Sequence, residues 1–516
     1  MLRLLGTTSA LCFVLFGSAV LFGQESQSPA FPASRTGPQI FADSCASCHG
    51  SDLAGGTGAK SLFTSDLLSA RSDEQLRAAI EAGPPHVPDH SFKNKFTDNQ
   101  IFQILAFLRI QGSSLKPKPF AGKPDGEIIQ SRKQAFRVET VVEGLETPWG
   151  ITFLPSGQML VTERPGRLRI VTKDGRLLPP VSGTPKVWER QDAGMFDVVL
   201  HPDYAHNGWI YLSYSDVVPG YQPPAPVAPQ PGQSAPQDAA PTQPIPPSMT
   251  VLIRGRINDR NEWTDTQEIY RADPAIYTAN VMHYGSRFLF DHSGHLFFSI
   301  GERGNVANAQ NLSSPLGKIH RVNDDGSIPA DNPFVDSPGA IKSIWSYGHR
   351  NPEGLAFDPV TKYMWETEHG PTGGDELNLI EKGKNYGWAK ISMGIQPGIT
   401  KTAETGMEQP VAWWTPTIAP SGIHFYTGRR YPKWHNNLFI AALAGQQLRR
   451  LEIKGRKVVE QEVLFDRFGR ARAATTGPDG LLYVLLQDPT GQGTGLPLAA
   501  STPGRVVRLV PVAAQK

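Results

Sequence analysis

The stretch Asn280–Gly304, NVMHYGSRFLFDHSGHLFFSIGERG, sets a histidine and a carboxylate at the two ends of one short element. Two apolar runs, SRFLF and HLFFSIG, flank the polar turn Asp291-His292-Ser293-Gly294, the pattern of a tight β-hairpin. His283 precedes the first run and Glu302 follows the second, so closing the hairpin returns both to one edge. An imidazole oriented by a carboxylate is how a general base is built near neutral pH. Taken alone, the hairpin also fits a loop histidine beside a solvated glutamate. A second constellation is Cys45-Ala46-Ser47-Cys48-His49. C-x-x-C-H is the c-type haem attachment pattern: two thiols add to the vinyl groups and the histidine becomes an axial iron ligand. A redox dithiol or a zinc site is disfavoured because the chain has 3 cysteines and no second pair.

The residues around the motif resemble a small class I cytochrome c, with QIFADSCASCHG as the first helix and DNQIFQILAFLRIQG, apolar at helical spacing, as the last. That resemblance implies a methionine sixth ligand, yet no Met lies between Met1 and Met159. Val87 stands where the Met-Pro pattern would place it, in GPPHVPDHSFKNKF, flanked by His86 and His90. Either imidazole would give a bis-His haem of lower potential than a Met-ligated one, and His90 is the preferred ligand. An open or water-ligated iron is the alternative.

The elements that must position these groups follow from composition and texture. A formal net charge of +2 calls for no polyanionic partner such as nucleic acid, and 51 Gly with 45 Pro point to many turns. Residues 1–23, with one Arg, an apolar run and small residues, read as a secretory signal cut near Gly23, an uncleaved anchor being the alternative. The expected mature protein is exported to the periplasm without stable membrane insertion. Residues 24–37 form a Ser/Pro-rich linker, 38–115 the cytochrome c domain and 116–135 a second, polar linker. From 136 to 513 the texture is β. Four segments share an apolar strand, a Pro/Asp-Gly turn, a second apolar strand and a closing polar residue: GITFLPSGQMLVTERPG, SRFLFDHSGHLFFSIGERG, GLAFDPVTKYMWETEHG and AATTGPDGLLYVLLQD. DVVLHPDYAHNGWIYLSYS is a longer-turn variant. One hairpin repeated at uneven intervals predicts a β-propeller, each copy part of one blade. The Pro/Ala/Gln-rich stretch 215–249 interrupts a blade and is too polar to bury a core.

Downstream of the central hairpin come SYGHRNPEGLAFDP, ETEHGPTGGDELNLIEKGKNYGWAKIS, WTPTIAPSGIHFY and FGRARAATTGPDG. In these runs the chain resembles the soluble glucose/sorbosone dehydrogenase family, six-bladed propellers that use pyrroloquinoline quinone (PQQ); the likeness spans about Val138–Leu509. The resemblance implies a six-bladed all-β propeller behind a small all-α cytochrome c domain. It further implies sugar oxidation at the anomeric hydroxyl by hydride transfer to PQQ, then electron passage to haem c and a respiratory acceptor. It assigns His283 as catalytic base, Glu302 as its orienting acid, and Arg350 and Asn351 as quinone contacts. The carbonyls of Gly370 and Pro371 match the Ca²⁺ ligands, Thr417 a cofactor contact, and Arg470 with Arg472 the arginines that hold its carboxylates. Two positions depart from the family. Its cofactor-binding Lys falls on Ala444, and its early Gln on Asp192, with Gln191 one place off. A non-catalytic sugar-binding propeller joined to an electron carrier is the competing function.

Holoprotein is expected to keep its haem through denaturing electrophoresis, and Cys48→Ala to lose it. Acid-acetone extraction of haem from the wild type would contradict covalent attachment.

Overall fold

The computed structural model describes residues 37–50, 53, 55, 62, 73–83, 92, 95–96, 100–101, 103–105, 107–108, 120–122, 124, 126–222, 244–396, 398–399, 401–490 and 501–512. The N-terminal part is helical. α1 (Gly37–Ser44) and α2 (Ala46–His49) are separated by a turn at Cys45, and α3 spans Asp73–Ala82. The described residues from 100 to 108 are helical too, as the apolar spacing predicts. Ile40, Phe41, Leu53, Leu76, Ile101, Ile104, Leu105 and Leu108 form the core of this part. Gly37 is where α1 meets the last helix: a Cβ there would lie 2.0 Å from the Gln103 carbonyl oxygen, so only glycine permits the approach. His86 and His90 lie outside the described residues, as does the segment read as a signal.

The β region is a six-bladed propeller of antiparallel sheets. After β1 (Ile128–Gln130) and β2 (Ala135–Glu146), the first blade is β3 (Pro148–Phe153), β4 (Met159–Glu163) and β5 (Arg167–Val171). The second is β6 (Met195–Leu200), β7 (Ile210–Val217), β8 (Ser248–Ile257) and β9 (Trp263–Tyr270). The third is β10 (Phe288–Phe290), β11 (Leu296–Ile300), β12 (Lys318–Val322) and β13 (Ile344–Tyr347). The fourth is β14 (Pro352–Phe357), β15 (Met364–Glu368), β16 (Asp375–Ile380) and β17 (Ala412–Trp414). The fifth is β18 (Pro420–Phe425), β19 (Leu438–Ala442), β20 (Gln447–Lys454) and β21 (Lys457–Phe465). The sixth joins β22 (Arg470–Thr476), β23 (Leu482–Gln487) and β24 (Pro503–Pro511) to β2, whose pairing from Phe136↔Pro511 to Glu146↔Pro503 closes the ring. β1 adds an outermost strand, so residues expected in the second linker belong to this sheet.

Sheets packed on both faces bury whole strands: every residue of β11 and of β15 is buried, while the first seven residues of β21 at the rim alternate between exposed and partly covered. The five repeats seen in the sequence are the first two strands of five blades. The sixth such pair, β18–β19, has a longer connection containing a 3₁₀ turn at Pro432–Trp434, with Trp434 buried, and no Asp-Gly signal. In each blade the first strand runs away from one face and the second returns to it. The Pro-rich insertion leaves β7 and re-enters β8 on that face, where the Val218 amide donates to the Pro247 carbonyl at 2.9 Å.

The inner strands meet at the axis, and each sends one residue there: Trp149, Asp197, Arg287 (just before β10), Glu353, Ser421 and Arg472. Arg287 donates to Asp197 Oδ1 at 3.1 Å, to the Glu353 carbonyl at 2.8 Å and to Ser421 Oγ at 3.5 Å. Arg472 donates to Glu353 Oε2 at 2.6 Å, and the Ser421 hydroxyl donates to the same oxygen at 2.9 Å. Both guanidiniums lie over the Trp149 ring, 4.2 and 5.4 Å from its centroid. Burial pushes the Asp197 carboxyl up, with Arg287 offsetting part of it. Burial opposes the charge of Glu353 too, but His369, Arg472, Ser421 and Arg287 outweigh it and bring the carboxyl from 4.5 down to about 2. Its contribution to stability is therefore present above the ordinary carboxylate range and lost as pH falls toward 2.

Removing one partner from such a cluster strands a buried charge. Glu353→Ala is expected to destabilise the fold by about 3–5 kcal/mol in urea unfolding. Val360→Ala on an exposed turn is expected to change it by less than about 0.5 kcal/mol.

Candidate functional site

The hairpin closes as its sequence requires, with Phe288↔Phe298 and Phe290↔Leu296 paired and Asp291 accepting the amides of Ser293 and His295. Pairing continues past the strands, the Ser286 amide donating to the Ser299 carbonyl at 2.8 Å. At the open end His283 Nδ1 meets Glu302 Oε1 at 2.5 Å, and both side chains are buried. With Nδ1–H donated to the carboxylate, the lone pair left for taking a proton is on Nε2. His283 itself sits at φ 59°, in the left-handed region, so its backbone must be held. Three groups hold it. The Asp192 carboxylate faces the His283 amide at 3.4 Å, and Asn351 Oδ1 accepts the Gly285 amide at 3.0 Å. Arg303 lies 3.5 Å over the Tyr284 ring and donates to the carbonyls of Met282 and, at 2.7 Å, Asn280. Arg303 went unnoticed in the sequence; its place directly after Glu302, entering a turn, was the available signal.

The other residues singled out by sequence lie on the same face, in different roles. Arg350 donates to the His369 carbonyl at 3.1 Å and lies 5.3 Å from the Trp388 ring centre, and its buried Nε has no partner among the described residues. The Asn351 amide group donates to Glu353 Oε1 at 3.2 Å, so both ends of this side chain are used within the fold. Thr417 donates its hydroxyl to Asp375 Oδ2 at 2.7 Å, which also accepts the amides of Ile418 and Ala419, while Asp375 Oδ1 accepts the Gly370 amide at 2.9 Å. Asp375 thereby sets the turn carrying Gly370 and Pro371. Arg470 and Arg472 both enter the site region but divide: Arg472 is bound to Glu353 at the axis, whereas Arg470, among the described residues, donates to the Thr490 carbonyl at 3.4 Å. The strict alternation expected of them is broken by a bulge between Ala471 and Ala473. Burial, then the neighbouring Arg472, pulls the Arg470 guanidinium down to about 10. Asp192 acts electrostatically on Arg303, Arg350, Arg470 and Arg472, so its carboxylate is set among cations. Ala444 lies between β19 and β20 on this face.

A buried group that could hold a cation was missed in the sequence. Ligand atoms of His349, Glu366 and Glu368 lie within 4.8 Å of one another, all three residues buried. Asn378 donates to Glu366, Glu368 and Glu376 at 3.1, 3.3 and 3.2 Å. Burial, then repulsion by Glu368, drives Glu366 and Glu376 well above the ordinary carboxylate range, and Glu366 Oε1 has no partner among the described residues. Glu368 and Glu376 line one small pocket with Gly370 and Pro371. Carboxylate and carbonyl oxygens crowded in this way suit a hard cation such as Ca²⁺. Pairing of β15 with β16 sets Glu368 opposite Glu376, two like charges that only the register brings together.

Comparison with known proteins agrees with this geometry. Residues 145–496 match the family model described as Glucose / Sorbosone dehydrogenase, and residues 32–108 that described as Cytochrome C oxidase, cbb3-type, subunit III. Aldose sugar dehydrogenase YliI of Escherichia coli K12 is 39% identical over 364 residues, covering 69% of this chain and 91% of that protein. The apo-form crystal structure of the soluble aldose sugar dehydrogenase from Escherichia coli superposes with a TM-score of 0.62 at 36% identity, covering 73% of this chain and 100% of that one. The PQQ-bound aldose sugar dehydrogenase of Streptomyces coelicolor gives a TM-score of 0.55 at 26% identity, over 72% of this chain and 98% of that one.

Terbium, a luminescent stand-in for Ca²⁺, is expected to bind and be sensitised by Tyr386 and Trp388, which line the pocket. Glu368→Gln should weaken its affinity by roughly tenfold or more. Unchanged titration curves would place the cation elsewhere.

Proposed function

Since the chain belongs to the glucose/sorbosone dehydrogenase family and carries a cytochrome c domain, we propose that it oxidises an aldose or related sugar at the anomeric hydroxyl. In this reading PQQ is the hydride acceptor and a haem c held by Cys45, Cys48 and His49 takes the electrons onward. The observation that carries it is the buried 2.5 Å His283–Glu302 pair on a face crowded with arginines. The residues fit the cofactor: Arg350, Arg470 and Arg472 each keep a buried Nε without a partner among the described residues, the donors a tricarboxylate needs. When bound, PQQ supplies the two-electron acceptor, and Ca²⁺ near Gly370, Pro371 and the Glu366–Glu368 cluster makes the quinone more electrophilic.

The chain's own residues then have distinct tasks. Nε2 of His283 takes the hydroxyl proton, and Glu302 stabilises the imidazolium that forms. Asp192, Asn351 and Arg303 fix the loop so that the base keeps its direction. Arg470, whose only described partner is a long contact to Thr490, offers the freest cation for a carboxylate. Two free thiols, Cys45 partly covered and Cys48 exposed, are the attachment points for haem. We place the protein in the periplasm, on the export signal at residues 1–23. No helix among the described residues is long and apolar enough to cross a membrane.

PQQ and Ca²⁺ reconstitution followed by dye reduction with an aldose panel tests the reading. His283→Gln is expected to retain PQQ binding while turnover falls by about 10²–10⁴-fold. Glu302→Gln should lose less and shift the rate–pH profile. Arg470→Ala should raise the PQQ concentration needed for reconstitution and leave turnover at saturation nearly unchanged. Wild-type turnover in His283→Gln would overturn the assignment of the base. Failure of the wild type to bind PQQ would favour a non-catalytic sugar-binding propeller, with Ala444 and Asp192 as the reason.

A further inference from the structure

The tether between the two parts of the chain is fastened to the propeller at a specific place. The Ala121 amide donates to the Arg467 carbonyl at 2.8 Å, and Arg467 also pairs with Glu127. Arg467 lies in the loop that carries the chain from the rim strand β21 inward to β22, on the face that holds His283. It precedes Arg470 by three residues, so the anchor lies within about 11 Å of that arginine along the chain. We propose, resting on the reading above, that the cytochrome c domain docks on this catalytic face, over the mouth of the site.

Chain length supports the choice of face. Leu108, the last described helical residue of the cytochrome part, precedes Phe120 by twelve residues, which span at most about 40 Å. Reaching the opposite mouth of the axis would take the tether down the nine residues of β21, about 30 Å, and then inward from the rim. That path uses about three quarters of the tether before any inward travel, whereas the near mouth uses none of it, so the near face is the one the tether favours. The axis itself closes the other route. Trp149, Asp197, Arg287, Glu353, Ser421 and Arg472 fill it, so an electron acceptor on the far face would sit behind a packed layer. On the near face the exposed apolar side chains of Met282 and Val306 flank the His283–Glu302 pair. A rim of this kind gives a tethered partner an uncharged footing, and tethering supplies the effective concentration that a weak contact lacks.

The haem iron can report the docking directly. Beyond the leader the two motif cysteines are the only thiols, and both carry haem in the holoprotein, so one introduced cysteine takes a nitroxide label cleanly. Val306→Cys labels the catalytic face and Val360→Cys the turn between β14 and β15 on the opposite face; the native side chains are 43% and 66% exposed. Relaxation of each label is compared between the oxidised holoprotein and the same label in a Cys45→Ala/Cys48→Ala background, which lacks the haem iron and leaves the introduced thiol alone to be labelled. The expected result is iron-enhanced relaxation at residue 306 of at least severalfold and little change at residue 360. Equal effects, a larger effect at residue 360, or none at either position would overturn the docking. Stopped-flow mixing with sugar separates this from the parent reading. If haem is not reduced by sugar while residue 306 still relaxes, the electron route fails and the docking stands.

Discussion

Arg287 is the residue on which five of the six blades converge. Its guanidinium joins Asp197 of the second blade, the Glu353 carbonyl of the fourth and Ser421 of the fifth, while its face rests on Trp149 of the first. Two buried guanidiniums near one another would repel and could not be desolvated without counter-charges. Asp197 and Glu353 supply them, and the serine fills the remaining hydrogen-bond positions. Breaking such a cluster is far more harmful than never having had it, because each survivor becomes an unpaired charge in low dielectric. A propeller has no central apolar core along its axis; here a satisfied polar layer takes that place and fixes the angular position of every inner strand.

The site is built upward from this layer. Glu353 holds Arg472 with one carboxylate oxygen and receives the Asn351 amide with the other, and Asn351 in turn receives the Gly285 amide beside His283. The general-base candidate is therefore three hydrogen bonds away from the axial arginine. A residue forced to φ 59° relaxes unless its surroundings over-determine it. Asn351, Asp192 and Arg303 do so from three directions, which is a better use of their polarity than lining an open pocket. Asn351 and Thr417, read in the sequence as cofactor contacts, are anchored first of all within the protein.

What could be read from the sequence and what could not divide by range. The His283–Glu302 pair was legible because a hairpin with an unmistakable turn forces its ends together. Five blades were legible by the same local signal. The fifth blade hid because the β18–β19 connection is long and built around Trp434 rather than around a Gly turn. Asp197, Arg287 and Glu353 gave no local signal at all, since each looks like an isolated charge in an apolar strand until six strands are laid side by side. Arg470 and Arg472 were found, but their different duties were not, because a β-bulge re-aims side chains without changing the alternation seen in the sequence. The acidic cluster at Glu366, Glu368 and Glu376 needed the β15–β16 register, which no single strand discloses.

The charge balance of the proposed cofactor pocket bears on the two departures from the family. Arg350, Arg470 and Arg472 are matched by Asp192, Glu302 and Glu353, so the ring of side chains is close to neutral. A neutral ring does not attract a tricarboxylate strongly, and Ala444 adds nothing where the family has a lysine. Added positive charge would have to come from a cation beside Gly370 and Pro371, in the pocket that Glu368 and Glu376 also line. Glu366 and Glu376, driven upward in pKa by burial and by repulsion from Glu368, are costly unless a cation or protons neutralise them. The same cation would relieve that repulsion and make the site less negative toward an anionic cofactor. On this reading Asp192 does not defeat anion binding: its carboxylate offsets the mutual repulsion of Arg303, Arg350, Arg470 and Arg472, which keeps their cationic groups together at the site.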